Sequence, residues 1–75
     1  MNDLTFGERA VGKTFNPSGD NAVAELKQHA AEFIDACNEL RSVTTDPEVK
    51  RMYSLAVTDA QTAQMWAVKA ATWRS

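Results

Sequence analysis

In 75 residues the sequence holds a single cysteine, Cys37, and a single histidine, His29. A lone cysteine excludes an intrachain disulfide, and one histidine with one cysteine cannot supply a cluster at zinc-ligand spacing. No segment reaches the roughly 18 consecutive apolar residues that a membrane-spanning helix requires. The opening Met1-Asn2-Asp3-Leu4 has neither the basic nor the apolar region of a secretory signal, so the expected location is the cytoplasm, with no membrane partner. A basic excess is also missing. The net charge of -2 argues against DNA or RNA polymers as partners, because non-specific attachment to them relies on cations that neutralise phosphates. A chain this short forms one domain, 1–75, and buries only a modest share of its unfolded surface. With disulfide and metal staples gone, self-association is the remaining way to bury more.

Glycine and proline are scarce as well, three and two in all, yet Gly12, Pro17 and Gly19 fall together in the stretch Val11-Gly12-Lys13-Thr14-Phe15-Asn16-Pro17-Ser18-Gly19-Asp20. Pro17 bars helix at Asn16, and the glycines favour turns. Phe15 puts a large aromatic ring where a small chain gains little from exposing one. This stretch reads as a ligand-gripping loop. Before it, residues 1–10 carry Leu4 and Phe6, then Gly7 and the pair Glu8-Arg9, and read equally as an arm or short helical turn packed on a neighbour or as a frayed terminus. Arm and loop together occupy 1–19.

From Ala22 the pattern changes. Val23, Leu26, Ala30, Phe33, Ile34, Cys37 and Leu40 recur at three- and four-residue intervals, which predicts an amphipathic helix over 20–41 with Ser18, Gly19, Asp20 and Asn21 as possible N-caps. Glu25, Lys27, Gln28, Glu32, Asp35 and Glu39 then fall mostly on the solvent side. The short connection Ser42 to Glu48 offers two helix starts, a Thr45/Glu48 capping box or an Asp46 cap followed by Pro47. Its length implies an antiparallel second helix, over 47–73. That helix repeats Ala56, Ala60, Ala63, Ala67 and Ala70, joined by Val49, Met52 and Trp66. Small residues let two helix axes approach closely. Leu55, Met65, Val68 and Trp73 lie outside this stripe, so the apolar surface exceeds what one partner helix covers. The expected fold is all-α: an antiparallel two-helix hairpin with a short N-terminal arm, packed into a homo-oligomeric helical bundle.

Catalytic chemistry is hard to find. His29 has no serine or cysteine placed beside it, Cys37 falls on the apolar stripe, and the acidic residues lack paired or metal-ligand spacing. Gly12-Lys13-Thr14 echoes the end of a phosphate-binding Walker loop without the glycine spacing or the preceding strand. Neither an enzyme nor a bound cofactor is indicated. What remains suits an anionic nucleotide: Phe15 as a stacking face, Lys27 two turns into the helix, and the amides of Ser18, Gly19 and Asp20 at a helix N-terminus. On residue types alone, Phe15 as a core plug and Lys27 on a solvated face are the simpler assignments.

Thr14-Phe15-Asn16-Pro17-Ser18-Gly19-Asp20, an amphipathic helix with Lys27, a short turn, and a second helix ending in Met65-Trp66-Ala67-Val68-Lys69-Ala70-Ala71 resemble the hairpin-domain family of bacteriophage anti-CBASS and anti-Thoeris sponge proteins. The resemblance covers about Arg9 to Arg74. It implies a non-enzymatic immune antagonist that assembles as a compact homo-oligomer, commonly a hexamer, in the infected bacterial host. Its implied ligands are cyclic di- or trinucleotides or cyclic ADP-ribose isomers, held uncleaved so that defence effectors are not activated. The same resemblance implies that Phe15 stacks on a base, that Lys27 is the basic residue of the first helix, and that Asn16, Pro17, Ser18 and Gly19 shape the pocket. Lys69 and Arg74 are the candidates for a second site at a threefold junction. The competing expectation is a non-catalytic helical hairpin that oligomerises and docks on a host protein; it accounts for the apolar faces but not for the loop.

Overall fold

The computed structural model describes residues 3–16 and 19–73. Its elements are three helices: α1, Phe6–Ala10; α2, Asn21–Val43; and α3, Pro47–Ala71. No strand occurs among the described residues. The long α2 and α3 form an antiparallel hairpin, and the N-terminal arm contains α1, which packs against α2.

Each helix start has a side-chain acceptor for the amides that have no partner within the helix. Thr5 and Glu8 form a full capping box at α1, with the Thr5 hydroxyl accepting from the Glu8 amide and the Thr5 amide donating to Glu8 Oε1. Asp20 caps α2 by accepting from Ala22 and Val23. Asp46 caps α3 with Pro47 at its first position, so the connection uses Asp46-Pro47 and not the Thr45/Glu48 box. The Lys50 ammonium donates to the carbonyl of Arg41 near the end of α2. α2 runs to Val43 and α3 stops at Ala71, which moves both ends by two residues from the sequence reading.

The buried face of α2 is rotated from the expected one. Val23, Ile34 and Cys37 are buried as their spacing predicts, but Ala31 and Lys27 are buried with them, while Phe33 and Leu40 are about half exposed. The cause lies in α1. Gly7 comes so close to α2 that an added methyl group would overlap the carbonyl of Ala31. Only small residues fit at such a crossing, so the bulky Phe33 is turned away. Asp35, expected in solvent, instead accepts the Gly7 amide at 2.7 Å. On α3, Val57 enters the core although it lies outside the alanine stripe. Ala56 and Ala60 pack beside it, whereas Met52, Ala63, Trp66 and Ala70 are exposed.

The core of Val11, Ala31, Ile34, Cys37 and Val57 is thin. The molecule measures 46 × 33 × 12 Å, a plate hardly thicker than one helix with its side chains. Its radius of gyration, 13.6 Å, exceeds the roughly 11 Å expected of a compact domain of this length. No described helix is long and apolar enough to cross a membrane.

Candidate functional site

The loop after α1 begins in the core. Val11 is buried and, as C-cap of α1, donates its amide to Gly7 and Arg9. Gly12 then turns the chain at φ 63°, a left-handed conformation that glycine adopts without steric cost. The Lys13 amide donates back to the carbonyl of Glu8 at 3.0 Å, and its ammonium pairs with the Glu8 carboxylate at 2.8 Å. The Phe15 amide donates to the carbonyl of Gly12 at 2.9 Å. The backbone is therefore tied down on either side of Thr14.

Lys27 holds this loop from below. It is 5 % exposed, and its Nζ donates to the carbonyls of Gly12 at 2.9 Å and Phe15 at 2.5 Å. The same ammonium stands 5.5 Å from the centroid of the Phe15 ring. Lys27 thus does not sit on the polar face where the sequence reading placed it. Burying an ammonium is costly unless it is well bonded, and two carbonyls and an aromatic face offset that cost here. No carboxylate among the described residues pairs with it. An ammonium has three N–H groups, so one remains beyond the two carbonyls.

Phe15 is the opposite case. Its backbone is fixed, yet its ring is 71 % exposed, so it is no core plug. Asn16 closes the far side by donating Nδ2 to the carbonyl of Asp20 at 3.0 Å and accepting the Asp20 amide on Oδ1 at 3.3 Å. Gly19, at φ 64°, donates its amide to the carbonyl of Asn16 at 3.0 Å. These bonds correct one expectation: the amides of Gly19 and Asp20 are already used within the loop. Those of Ala22 and Val23 go to the Asp20 carboxylate, whose own charge stands at the helix N-terminus where an anion was expected. Pro17, Ser18 and Arg74 lie outside the described residues.

Phe15, Asn16, Gly19 and Lys27 therefore belong to one constellation. Lys69 belongs to another, on the last turns of α3, with its ammonium 5.3 Å from the Trp66 ring and 5.9 Å from the Trp73 ring. A groove of about 250 Å³ lies there, lined by Thr62, Met65, Trp66 and Lys69. A larger one, about 380 Å³, runs between α2 and α3 past Leu26, His29, Phe33, Ala63 and Gln64. The side-chain oxygen of Gln64 is buried there without a hydrogen-bond donor. Among the described residues no cluster of His, Cys, Asp or Glu has the makings of a metal site.

Glu8 is the titratable group nearest the loop whose environment perturbs it. Its hydrogen bond from Lys13, then that from the Thr5 amide, hold its carboxyl below the usual carboxylate range. Three contributors to the site escaped the sequence reading: the Gly7–Asp35 bond, the Gln61 side chain donating to the carbonyl of Ala10 at 3.2 Å, and the capping box of α1. Only the last had a sequence signal, the Thr5-x-x-Glu8 spacing.

The chain is thus a helical hairpin, crossed by a short helix and presenting a pinned loop with an exposed aromatic. The chain matches the family model described as Acb2/Tad1, hairpin domain, over residues 8–72. It belongs to that family, and membership implies a phage anti-defence role of the sponge type. No curated protein and no solved structure gives a significant match.

Proposed function

We propose that this protein is an anti-defence sponge that binds cyclic oligonucleotides, cyclic di- or trinucleotides, or cyclic ADP-ribose-type immune signals, and holds them intact so that CBASS or Thoeris effectors stay inactive. Phe15 stacks on a base. Lys27 fixes the carbonyls that frame the ring and, with no carboxylate paired to it among the described residues, supplies a positive charge for the ligand's phosphate. Asn16 and Gly19 border the base, with Pro17 and Ser18 as further candidates for the same site by the family resemblance. No nucleophile, base or metal is called for, because withholding the signal requires affinity and not turnover.

The observation that carries this reading is the Phe15 ring itself, 71 % exposed on a backbone that hydrogen bonds hold in place. A flexible exposed aromatic loses entropy when it binds; a fixed one has lost it already. Stacking of this kind contributes about 1–3 kcal/mol per base.

The sponge works as a homo-oligomer, a hexamer in keeping with the family resemblance. Phe33, Met65, Trp66 and Trp73 are each more than half exposed in the single chain. Burying side chains of this size stabilises by about 1.5–3 kcal/mol each, more than a thin plate can forgo. A neighbouring copy also brings donors to the unpartnered Gln64 oxygen. Lys69 and Arg74 are candidates for a second site between copies.

Thermal-shift screening against cyclic di- and trinucleotides and cyclic ADP-ribose isomers tests the reading. A ligand that binds only the native state raises the melting temperature, and mass spectrometry of the heat-released ligand reports whether it is whole. A rise with intact ligand is expected. No rise across the panel favours instead a hairpin that docks on a host protein, and a cleaved ligand would make the protein an enzyme.

A further inference from the structure

Phe15 is held by Lys27, but what Lys27 grips is a tether whose other end is α1. Five residues make a helix too short to persist alone. Side chains from both long helices fix it in place. At its start, the Gly7 amide donates to Asp35 of α2 at 2.7 Å, with Gly7 seated against the backbone of Ala31. At its end, Gln61 of α3 donates to the carbonyl of Ala10 at 3.2 Å. The residue after Ala10 is the buried Val11, the next is the Gly12 turn, and three residues later comes Phe15. The two bonds join α1 to the hairpin across 28 and 51 positions of sequence, and both are shielded in part from water.

We propose that Asp35 and Gln61 are positioning residues for the ligand loop: by clamping α1 to α2 and α3 they set where Phe15 stands, without touching the ligand themselves. The idea rests on the reading of Phe15 as a ligand contact. A carboxylate accepting a backbone amide is a charge-assisted bond, stronger than a neutral one, so Asp35 is the dominant half of the clamp. Gln61 offers its donor to a carbonyl near the C-terminus of α1, one of those left without a partner in the helix. When either bond is lost, α1 and the loop move as a unit while the α2–α3 hairpin stays folded.

Amide hydrogen exchange on the full chain, followed by NMR, reads the clamp without any ligand. In Asp35→Ala the amides of Gly7, Val11, Lys13 and Phe15 should exchange about tenfold faster or more, with those of Ile34 and Val57 unchanged. Asp35→Asn, which keeps an acceptor oxygen, should restore most of the protection. Gln61→Ala should give the same pattern at smaller amplitude, and it covers the case in which Asp35→Ala does not fold. Affinity for 3′,3′-cyclic GMP–AMP should fall in parallel, about tenfold in Asp35→Ala, and recover in Asp35→Asn. Unchanged loop exchange overturns the proposal, as does acceleration spread evenly over the hairpin, or faster loop exchange with undiminished affinity. Failure of Phe15→Ala to weaken binding of the same probe would instead overturn the ligand reading, and the exchange data would still decide the clamp.

Discussion

The ammonium of Lys27 lies 2.5 Å from the carbonyl oxygen of Phe15 and 5.5 Å from the centroid of the same residue's ring. One buried cation thus fixes the backbone of the residue whose side chain is offered to solvent. Lys27→Met keeps the apolar stem and removes the donor, leaving the carbonyls of Gly12 and Phe15 without their partner. The expected cost is about 1–3 kcal/mol of stability, read as a lower urea midpoint. An unchanged midpoint would show that the ammonium is dispensable to the loop. Lys27 is therefore no neutral surface position, contrary to what its sequence neighbours suggest.

Phe15→Ala should behave in the reverse way. With its ring largely in solvent, only the contact with the Lys27 ammonium is lost, and stability should fall by no more than about 1 kcal/mol. Binding of a cyclic dinucleotide, measured by calorimetry, should weaken by about 1–3 kcal/mol through the lost stacking. Unaltered affinity removes Phe15 from the site.

Two glycine substitutions separate crowding from backbone geometry. At Gly7 an added Cβ meets the backbone of Ala31, with its carbonyl carbon at 2.9 Å, and the neighbour cannot swing aside as a flexible side chain would. Gly7→Ala should cost about 1–3 kcal/mol and detach α1. At Gly19 nothing lies within 4 Å, and only the φ of 64° opposes a side chain. Gly19→Ala should cost about 1–2 kcal/mol and leave α1 docked. Thermal unfolding with exchange at Val11 as a local probe distinguishes the two. Equal effects at Val11 would contradict the close approach.

The capping box gives α1 a pH dependence with a defined sign. The hydrogen bond from Lys13, and then that from Thr5, depress the folded-state pKa of Glu8 below its ordinary value of 4.5. The contribution is therefore present above pH 4.5 and is lost as pH falls through the depressed folded value. Protection of the Thr5 and Glu8 amides, relative to their intrinsic exchange rates, should fall in that acid window, and Glu8→Gln should abolish the change. A loss of protection that persists in Glu8→Gln assigns it to another group.

Helix content and the hairpin were legible because three- and four-residue apolar spacing and the two capping aspartates, Asp20 and Asp46, act locally. The rotation of α2 was not. Hydrophobicity favours Phe33 over Ala31 for the core, but the inward position is decided by how closely Gly7 approaches, and that is a tertiary fact. Lys27 was misplaced for the same reason: a lysine reads as solvated until two loop carbonyls are brought to it. The aromatic loop stood out in sequence because Gly12, Phe15, Pro17 and Gly19 are unusual together. The amides at the start of α2 looked available to an anion because nothing local shows that Asn16 and Asp20 occupy them.

Native mass spectrometry of the purified chain with a mixture of cyclic di- and trinucleotides and cyclic ADP-ribose isomers examines assembly and ligand capture together, since one spectrum reports subunit number, ligand number and ligand mass. A sponge should fly as an assembly of several 8.3 kDa chains carrying ligand of unchanged mass, with occupancy lost in Phe15→Ala. Single chains, or assemblies that stay empty throughout the mixture, would contradict it.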